Sequence, residues 1–377
     1  LAEALHRTWR LPRICGHMIT GAVAGPVMLR LFEGLDLDPW KPLIDLAIGA
    51  LLFELGTRIR PRWLLDNRWL ALSCLLQALL TGLFVTVVLG WLGAPWLTAA
   101  VAGTVAASTS PVIVLAVAHE ARARGQVTER LLMMAAFNAV VAVIGLKVLR
   151  IVFASDVGSP AEEFTRASIS ALRVISGSFL LGVACGFAMD RLSPLVRGTP
   201  AMPVLQIALV IIASMLAAQW TLSPLLALLV AGMTARARMK HALTVEPHLG
   251  SAGAVLNVLL FICLGLLFTL DGLASLWPWV IVIVLARVAG TAVAIGGLAR
   301  LSGLSLKQAA GLTLALQPMS SLAVLLAADT FGWSSQLPGT HTPTIQALLL
   351  ATTLMQVTGP IWTQLSLRHL ARETNDA

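Results

Sequence analysis

Residues 97–119 read LTAAVAGTVAASTSPVIVLAVAH, and residues 306–328 read LKQAAGLTLALQPMSSLAVLLAA. Each stretch is long enough to cross a bilayer, whose hydrocarbon core takes about 20 mostly apolar residues. Each is also interrupted near its middle, by Ser108-Thr109-Ser110-Pro111 in the first and by Gln317-Pro318-Met319-Ser320-Ser321 in the second. Pro111 and Pro318 lack a backbone N–H and push the residue before them out of helical geometry. The polar side chains beside them can satisfy the carbonyls so freed. Either break alone reads as the kind of kink that membrane helices tolerate.

The rest of the chain is of the same apolar character. Of 377 residues, 58% are hydrophobic and only 12% charged, with a mean hydropathy of +0.86. A soluble domain carries roughly a quarter of its residues as charged types, so the composition excludes a soluble enzyme, a disulfide-stapled secreted domain and a disordered regulator. Hydropathy predicts twelve spans, near 14–31, 43–58, 69–91, 97–119, 130–150, 167–189, 201–218, 222–236, 249–270, 277–299, 306–328 and 344–366. The expectation is an all-α polytopic membrane protein forming a single transmembrane domain over 1–377. No soluble domain is visible. The chain starts at Leu1 without a methionine, which reads as an N-terminal segment, and one helix, missing from view.

The formal charge of +8 does not mark a nucleic-acid binder, because the basic residues fall in short clusters between apolar runs. Alternate connections hold 19 and 4 of the Lys and Arg residues, and the poorer set carries Glu33, Asp36, Asp38, Asp156, Glu162, Glu163 and Asp271. Positive residues in short loops stay cytoplasmic, so both visible ends are expected on that side. The eleven tryptophans, from Trp9 to Trp362, sit at or near span ends as interfacial anchors. Cys15, Cys74, Cys185 and Cys263 lack metal-ligand spacing and read as buried free thiols. The seven histidines have no zinc spacing and no nucleophile partner, so neither an enzyme, a metal site nor a cofactor is expected.

Three cations remain within spans: Lys147, Arg173 and Arg287. Lys147, about one turn from the predicted outer end of its helix, can snorkel to the headgroups, and Arg173 can do so less easily. Arg287 lies ten residues past Trp277 and thirteen before Arg300, close to mid-bilayer. A central arginine costs at least about 2.5–3.5 kcal/mol on insertion scales, so it faces protein or water. It either pins helix ends by bonding their carbonyls or places a charge at a transport site.

The two breaks also occupy matching places. The first is the middle span of a triplet covering 69–150, the second the middle span of one covering 277–366, and the charge count runs the triplets in opposite directions. Inverted repeats that each contain a broken helix point to a secondary transporter with a midplane site.

With these features in order, the sequence resembles the cation:proton antiporter superfamily, which includes sodium/proton exchangers and potassium-efflux-type antiporters. Leu11-Pro12-Arg13 through Gly21 and Gly25-Pro26 is similar to the family's first core helix, and Leu51-Leu52-Phe53-Glu54-Leu55-Gly56 to its second-helix signature. Ala135-Ala136-Phe137-Asn138 stands where the ion-binding helix belongs, and Leu222-Ser223-Pro224, Ala231-Gly232 and Phe261–Phe268 are likewise family-like. Arg287 matches the family's basic residue in the tenth helix, and 108–111 and 317–321 its two broken, crossing helices. The resemblance implies a thirteen-helix fold with a dimerisation domain and a six-helix core. It also implies a homodimer in a bacterial-type inner membrane that exchanges a monovalent cation for protons.

The family's ion-binding helix carries one or two carboxylates, as Asn-Asp or Asp-Asp, where this chain has Asn138-Ala139. Its first broken helix often has an Asp where this chain has Ser110. Antiport needs one group that takes either a proton or a cation, and neither Asn nor Ser has a usable pKa. Glu54 is a possible substitute acid, although Arg58 four residues on explains it as an interfacial ion pair. The expected transport site therefore comprises Asn138, Ala139, Thr109, Ser110, Arg287 and Gln317, hinged at Pro111 and Pro318. Two alternatives stand beside antiport: a transport-dead membrane subunit or sensor with a protein partner, and a carrier for an anionic or neutral solute.

Overall fold

The computed structural model describes residues 2–9, 11–25, 41–59, 63, 66–156, 160–196, 199, 201–238, 250–266, 273–321, 323, 324, 327 and 342–374. Pro26, Phe268 and the acids Glu33, Asp36, Asp38, Asp271 and Asp329 lie outside these residues. The helices are α1 (Ala2–Trp9), α2 (Arg13–Ala24), α3 (Lys41–Arg58), α4 (Arg68–Trp91), α5 (Trp96–Ala107), α6 (Pro111–Glu120) and α7 (Gln126–Asp156). They continue with α8 (Pro160–Val196), α9 (Ala201–Gln219), α10 (Pro224–Arg238), α11 (Gly250–Leu266), α12 (Leu273–Leu298), α13 (Leu306–Ala315) and α14 (Thr342–Leu365). A π-helical turn, Ser366–Leu370, extends α14. Among the described residues the only β feature is an isolated antiparallel bridge between Thr109 and Met319. Six of the helices are long and apolar enough to cross a membrane, and the protein is an integral membrane protein.

The chain forms two compact units. One comprises Leu1–Gly16, Leu64–Ser168 and Phe268–Ala377, and so contains both interrupted spans. Its core is built largely of small and branched apolar side chains, including Val105, Ala142, Ile283, Met319, Ala347 and Ala351. In a bilayer, association rests on close packing and polar contacts rather than on hydrophobic expulsion, so small residues gather where backbones meet. A Cβ at Gly290 of α12 would stand 2.7 Å from the Thr81 Cα of α4. That approach brings the Thr81 and Thr291 hydroxyls to 3.0 Å, and Gln77 donates to Thr81 at 3.3 Å.

The second unit comprises His17–Trp63 and Ile169–Leu267. There α3 and α10 touch through glycines: a Cβ on Gly56 would lie 2.3 Å from the Leu229 carbonyl oxygen, and one on Gly232 would lie 2.2 Å from that of Phe53. The same device joins α2 to α11 at Gly21 and Gly265. In this unit Arg58 pairs with Glu54 at 3.4 Å, the i,i+4 contact their spacing predicts.

Helix α7 does not stop near Arg150 but runs on through Ile151, Val152 and Phe153 to Asp156. Lys147 is thus nine residues, roughly two and a half turns, from the helix end and half-buried. The charge of Arg150 marked a boundary that the apolar residues beyond it override. Arg173, thirteen residues into α8, is exposed, and its Nη2 donates to the Thr221 hydroxyl. Thr221 holds a left-handed φ of 54° in the α9–α10 turn. The four cysteines are free and buried, as expected.

The glycine contact between α3 and α10 makes a testable prediction. Gly56→Ala forces a backbone collision and is expected to destabilise the protein by about 1–3 kcal/mol. Gly296→Ala in α12, where an added Cβ meets nothing within 4 Å, is expected to be neutral or slightly stabilising. Thermal unfolding of the two variants in the same detergent checks the contrast.

Candidate functional site

Each broken span is two half-helices joined by extended residues. Helix α5 ends at Ala107, Ser108 is extended (φ −75°, ψ 120°), and α6 restarts at Pro111. Proline suits the first helical position because its missing N–H has no partner there in any case. Ser110, also extended, caps α6, its hydroxyl accepting from the Ile113 N–H at 3.4 Å. In the other span α13 begins at a capping box, Ser305 with Gln308, and ends at Ala315. Residues 321, 323, 324 and 327 are helical again.

The two extended pieces cross antiparallel. The Ser110 N–H donates to the Pro318 carbonyl at 2.8 Å, and the Ser320 N–H donates to the Ser108 carbonyl at 3.3 Å. Each break thereby uses backbone groups that the other has freed, which is how irregular backbone survives at membrane depth. Helix α14 supports the crossing from behind. Gly359 lies so close that a Cβ there would be 2.7 Å from the Pro318 Cα, and the Thr363 hydroxyl donates to the Ala315 carbonyl at 3.0 Å.

A polar cluster is built around Thr109, which is wholly buried. Its hydroxyl donates to the Leu316 carbonyl at 2.9 Å and accepts from Arg287 Nη2 at 3.1 Å and from Asn138 Nδ2 at 3.2 Å. A hydroxyl has one proton and two lone pairs, so this one is fully used. Arg287 Nη2 also donates to the Leu316 carbonyl at 2.6 Å, at the C-terminal end of α13. Such a position suits a cation because the last carbonyls of a helix carry partial negative charge. Thus α12 supplies Arg287, α7 supplies Asn138, and the two breaks supply Thr109 and Leu316. Gln317 turns its amide nitrogen back to the Thr313 carbonyl at 2.7 Å. Ala139 is buried and adds no polar atom.

Several polar atoms here are buried and have no hydrogen-bond partner among the described residues: Arg287 Nε and Nη1, Asn138 Oδ1, Gln317 Oε1 and Ser108 Oγ. Native interiors satisfy most such atoms with protein groups or ordered water.

Three features were not foreseen from the sequence. Arg130, taken as a loop cation, is buried in α7 and donates from Nη2 to the Ser302 carbonyl. Glu373, near the chain's end, caps α7, its carboxylate accepting from the Val127 and Thr128 N–H groups at 2.7 and 2.8 Å. Glu120 does the same for α2, taking the Arg13 N–H on both oxygens at 2.8 and 3.0 Å. Glu373 and Val127 are 246 residues apart, so no local pattern announces the cap.

The model of the family described as "Sodium/hydrogen exchanger, transmembrane" matches residues 1–367. The chain belongs to that family. Among solved structures it is similar to the sodium proton antiporter MjNhaP1 from Methanocaldococcus jannaschii. The structure determined at pH 8 has a TM-score of 0.66 and 19% identity, with 98% of this chain and 95% of that chain covered. An electron-microscopy structure of the same antiporter gives a TM-score of 0.68 and 15% identity, covering 100% of this chain and 95% of that one. At such identities the likeness establishes the fold: a sodium/proton antiporter architecture with inverted repeats and two broken, crossing helices. No curated protein sequence matches the chain.

Two predictions follow from these bonds. Thr109→Val keeps the shape but strands one N–H of Arg287 and one of Asn138, and is expected to destabilise the protein by about 1–3 kcal/mol. Thr109→Ser should stay near the native value when both are followed by thermal unfolding. Glu373→Ala removes the cap of α7 and is expected to lower stability by about 0.5–2 kcal/mol in the same measurement.

Proposed function

We propose that this protein is a secondary transporter of the cation:proton antiport type, in which the crossing of the two broken helices is the transport site. Asn138, Ala139, Thr109, Ser110, Arg287 and Gln317 form that site, with Pro111 and Pro318 as its hinges. The observation that supports this most directly is the polar cluster of Arg287, Thr109 and Asn138, buried where both breaks meet. A chain folded only for mechanical support has no need of two interrupted helices or of a guanidinium in its core. The repeats covering 69–150 and 277–366 are read as the two inverted halves that alternate access. The working unit is proposed to be a homodimer in a bacterial-type inner membrane, with both visible ends cytoplasmic, exchanging a monovalent cation for protons.

The site is degenerate for that task. Asn138 and Ser110 cannot exchange a proton for a cation, and Ala139 provides no ligand. Glu54, which pairs with Arg58 at 3.4 Å, is the possible substitute acid. The same departure supports a second reading, in which the fold carries an anionic or neutral solute or acts as a membrane subunit with a protein partner. Arg287 specifically favours it, because among the described residues no carboxylate pairs with this cation.

Reconstitution separates these readings. With the protein in liposomes, lumenal pH is followed as sodium, potassium or lithium is added. Antiport predicts proton movement by the native protein that disappears in Arg287→Ala. Silence in the native protein with activity in Ala139→Asp means an intact machine that has lost its cation ligand. Silence in both overturns antiport and leaves the second reading.

A further inference from the structure

We propose that the crossing binds a small monovalent anion of about chloride size against the Arg287 guanidinium, as the counter-charge that the described residues do not provide. Arg287 is 0% exposed. A guanidinium stays protonated in proteins, so its charge cannot be shed, and a buried charge without a partner is strongly unfavourable. Among the described residues its side chain donates two hydrogen bonds, from Nη2 to Thr109 and to Leu316.

The half-helix ends do not supply the missing charge. Two C-termini, those of α5 and α13, face the crossing with about half a negative charge each. Two N-termini, that of α6 and the one beginning near residue 321, bring about half a positive charge each. The four cancel, and the net charge of the site is that of Arg287.

The donors for an anion are present and unused. Of the five N–H groups of a guanidinium, the two on Nη1 and the one on Nε have no partner. The Nη1 group shares the end of the guanidinium with Nη2, which touches Thr109 and Leu316, so its protons lie at the crossing. The Ser108 hydroxyl, 1% exposed and unpartnered, stands on the same break, and α6 opens its first turn there. A helix start beside a buried cation is a suitable place for an anion. One negative charge neutralises the site, whereas a divalent oxyanion would leave it net negative in a low-dielectric interior.

The placement of this anion in a transport pathway rests on reading the crossing as the transport site. Once Arg287 is neutralised, the unpartnered oxygens of Asn138 and Gln317 become acceptors available to a monovalent cation. The binding itself is tested without transport.

Protein purified in halide-free gluconate is titrated with chloride or bromide at constant ionic strength, and its melting temperature is recorded. The expected result is a saturable rise with either halide, none with gluconate or sulfate, and loss of the rise in Arg287→Gln. Asn138→Asp is the second variant. It places a carboxylate beside the Thr109 hydroxyl to which the guanidinium donates, and is expected to melt at the same temperature in chloride and in gluconate. Equal melting of the native protein in chloride and gluconate overturns the proposal. So does an undiminished chloride shift in Asn138→Asp, which would put the halide elsewhere. Proton flux that persists in gluconate while no halide shift is seen removes this inference and leaves antiport standing. A halide shift with no cation-driven flux does the reverse.

Discussion

The contact on which the rest of the first unit depends is the convergence of Thr109 and Arg287 on the Leu316 carbonyl. Two interrupted spans bring four helix ends to one place, and each end carries backbone groups that lipid cannot satisfy. The antiparallel exchange between Ser108–Ser110 and Pro318–Ser320 satisfies part of that need, and the Thr109 hydroxyl and the Arg287 guanidinium satisfy the carbonyl left at the end of α13. Once the crossing is placed, α7 and α12 follow, because Asn138 and Arg287 must reach it. Helix α14 follows as well, since Gly359 and Thr363 close over Pro318 and Ala315.

The chemistry of the crossing follows from the polar groups gathered there, the Thr109 hydroxyl, the Asn138 amide and the Arg287 guanidinium. Carboxylates beside a guanidinium would hold the site near neutrality and give it a group that titrates. Among the described residues the buried charge at the crossing is that of Arg287, beside the Asn138 amide and the Thr109 hydroxyl. Family membership therefore fixes the machine more firmly than the cargo. The Asn138 amide is held through Thr109 rather than through an acid, and Ser110 spends its hydroxyl on capping α6.

Supports far from the crossing come from opposite ends of the chain. Glu373 takes the free N–H groups of α7, the helix that carries Asn138, and Glu120 takes one at the start of α2. Gly125 is small where Glu373 arrives, since a Cβ there would meet its carboxylate at 2.2 Å. Both caps tie helix starts to segments distant in sequence, which makes the end of α6 and the segment around Glu373 part of the first unit's framework.

The sequence by itself determined the class of the protein and much of its plan. Composition and twelve apolar runs are enough for a polytopic helical membrane protein, because each span must be apolar along its own length. The breaks at 108–111 and 317–321 were legible for a similar reason: proline and hydroxyl residues act on their own backbone. Arg287 stood out because no isolated helix tolerates a charge at its centre. The burial of Arg130, the partner of Arg173 and the cap from Glu373 were decided only by tertiary structure. Each depends on a contact with a segment remote in sequence, and single-residue hydropathy contains no term for such a contact. The same holds within the site. The residue types named a polar crossing, but only packing decided that Thr109 is its centre, that Ser110 and Gln317 turn toward their own helices, and that three donors of Arg287 have no partner.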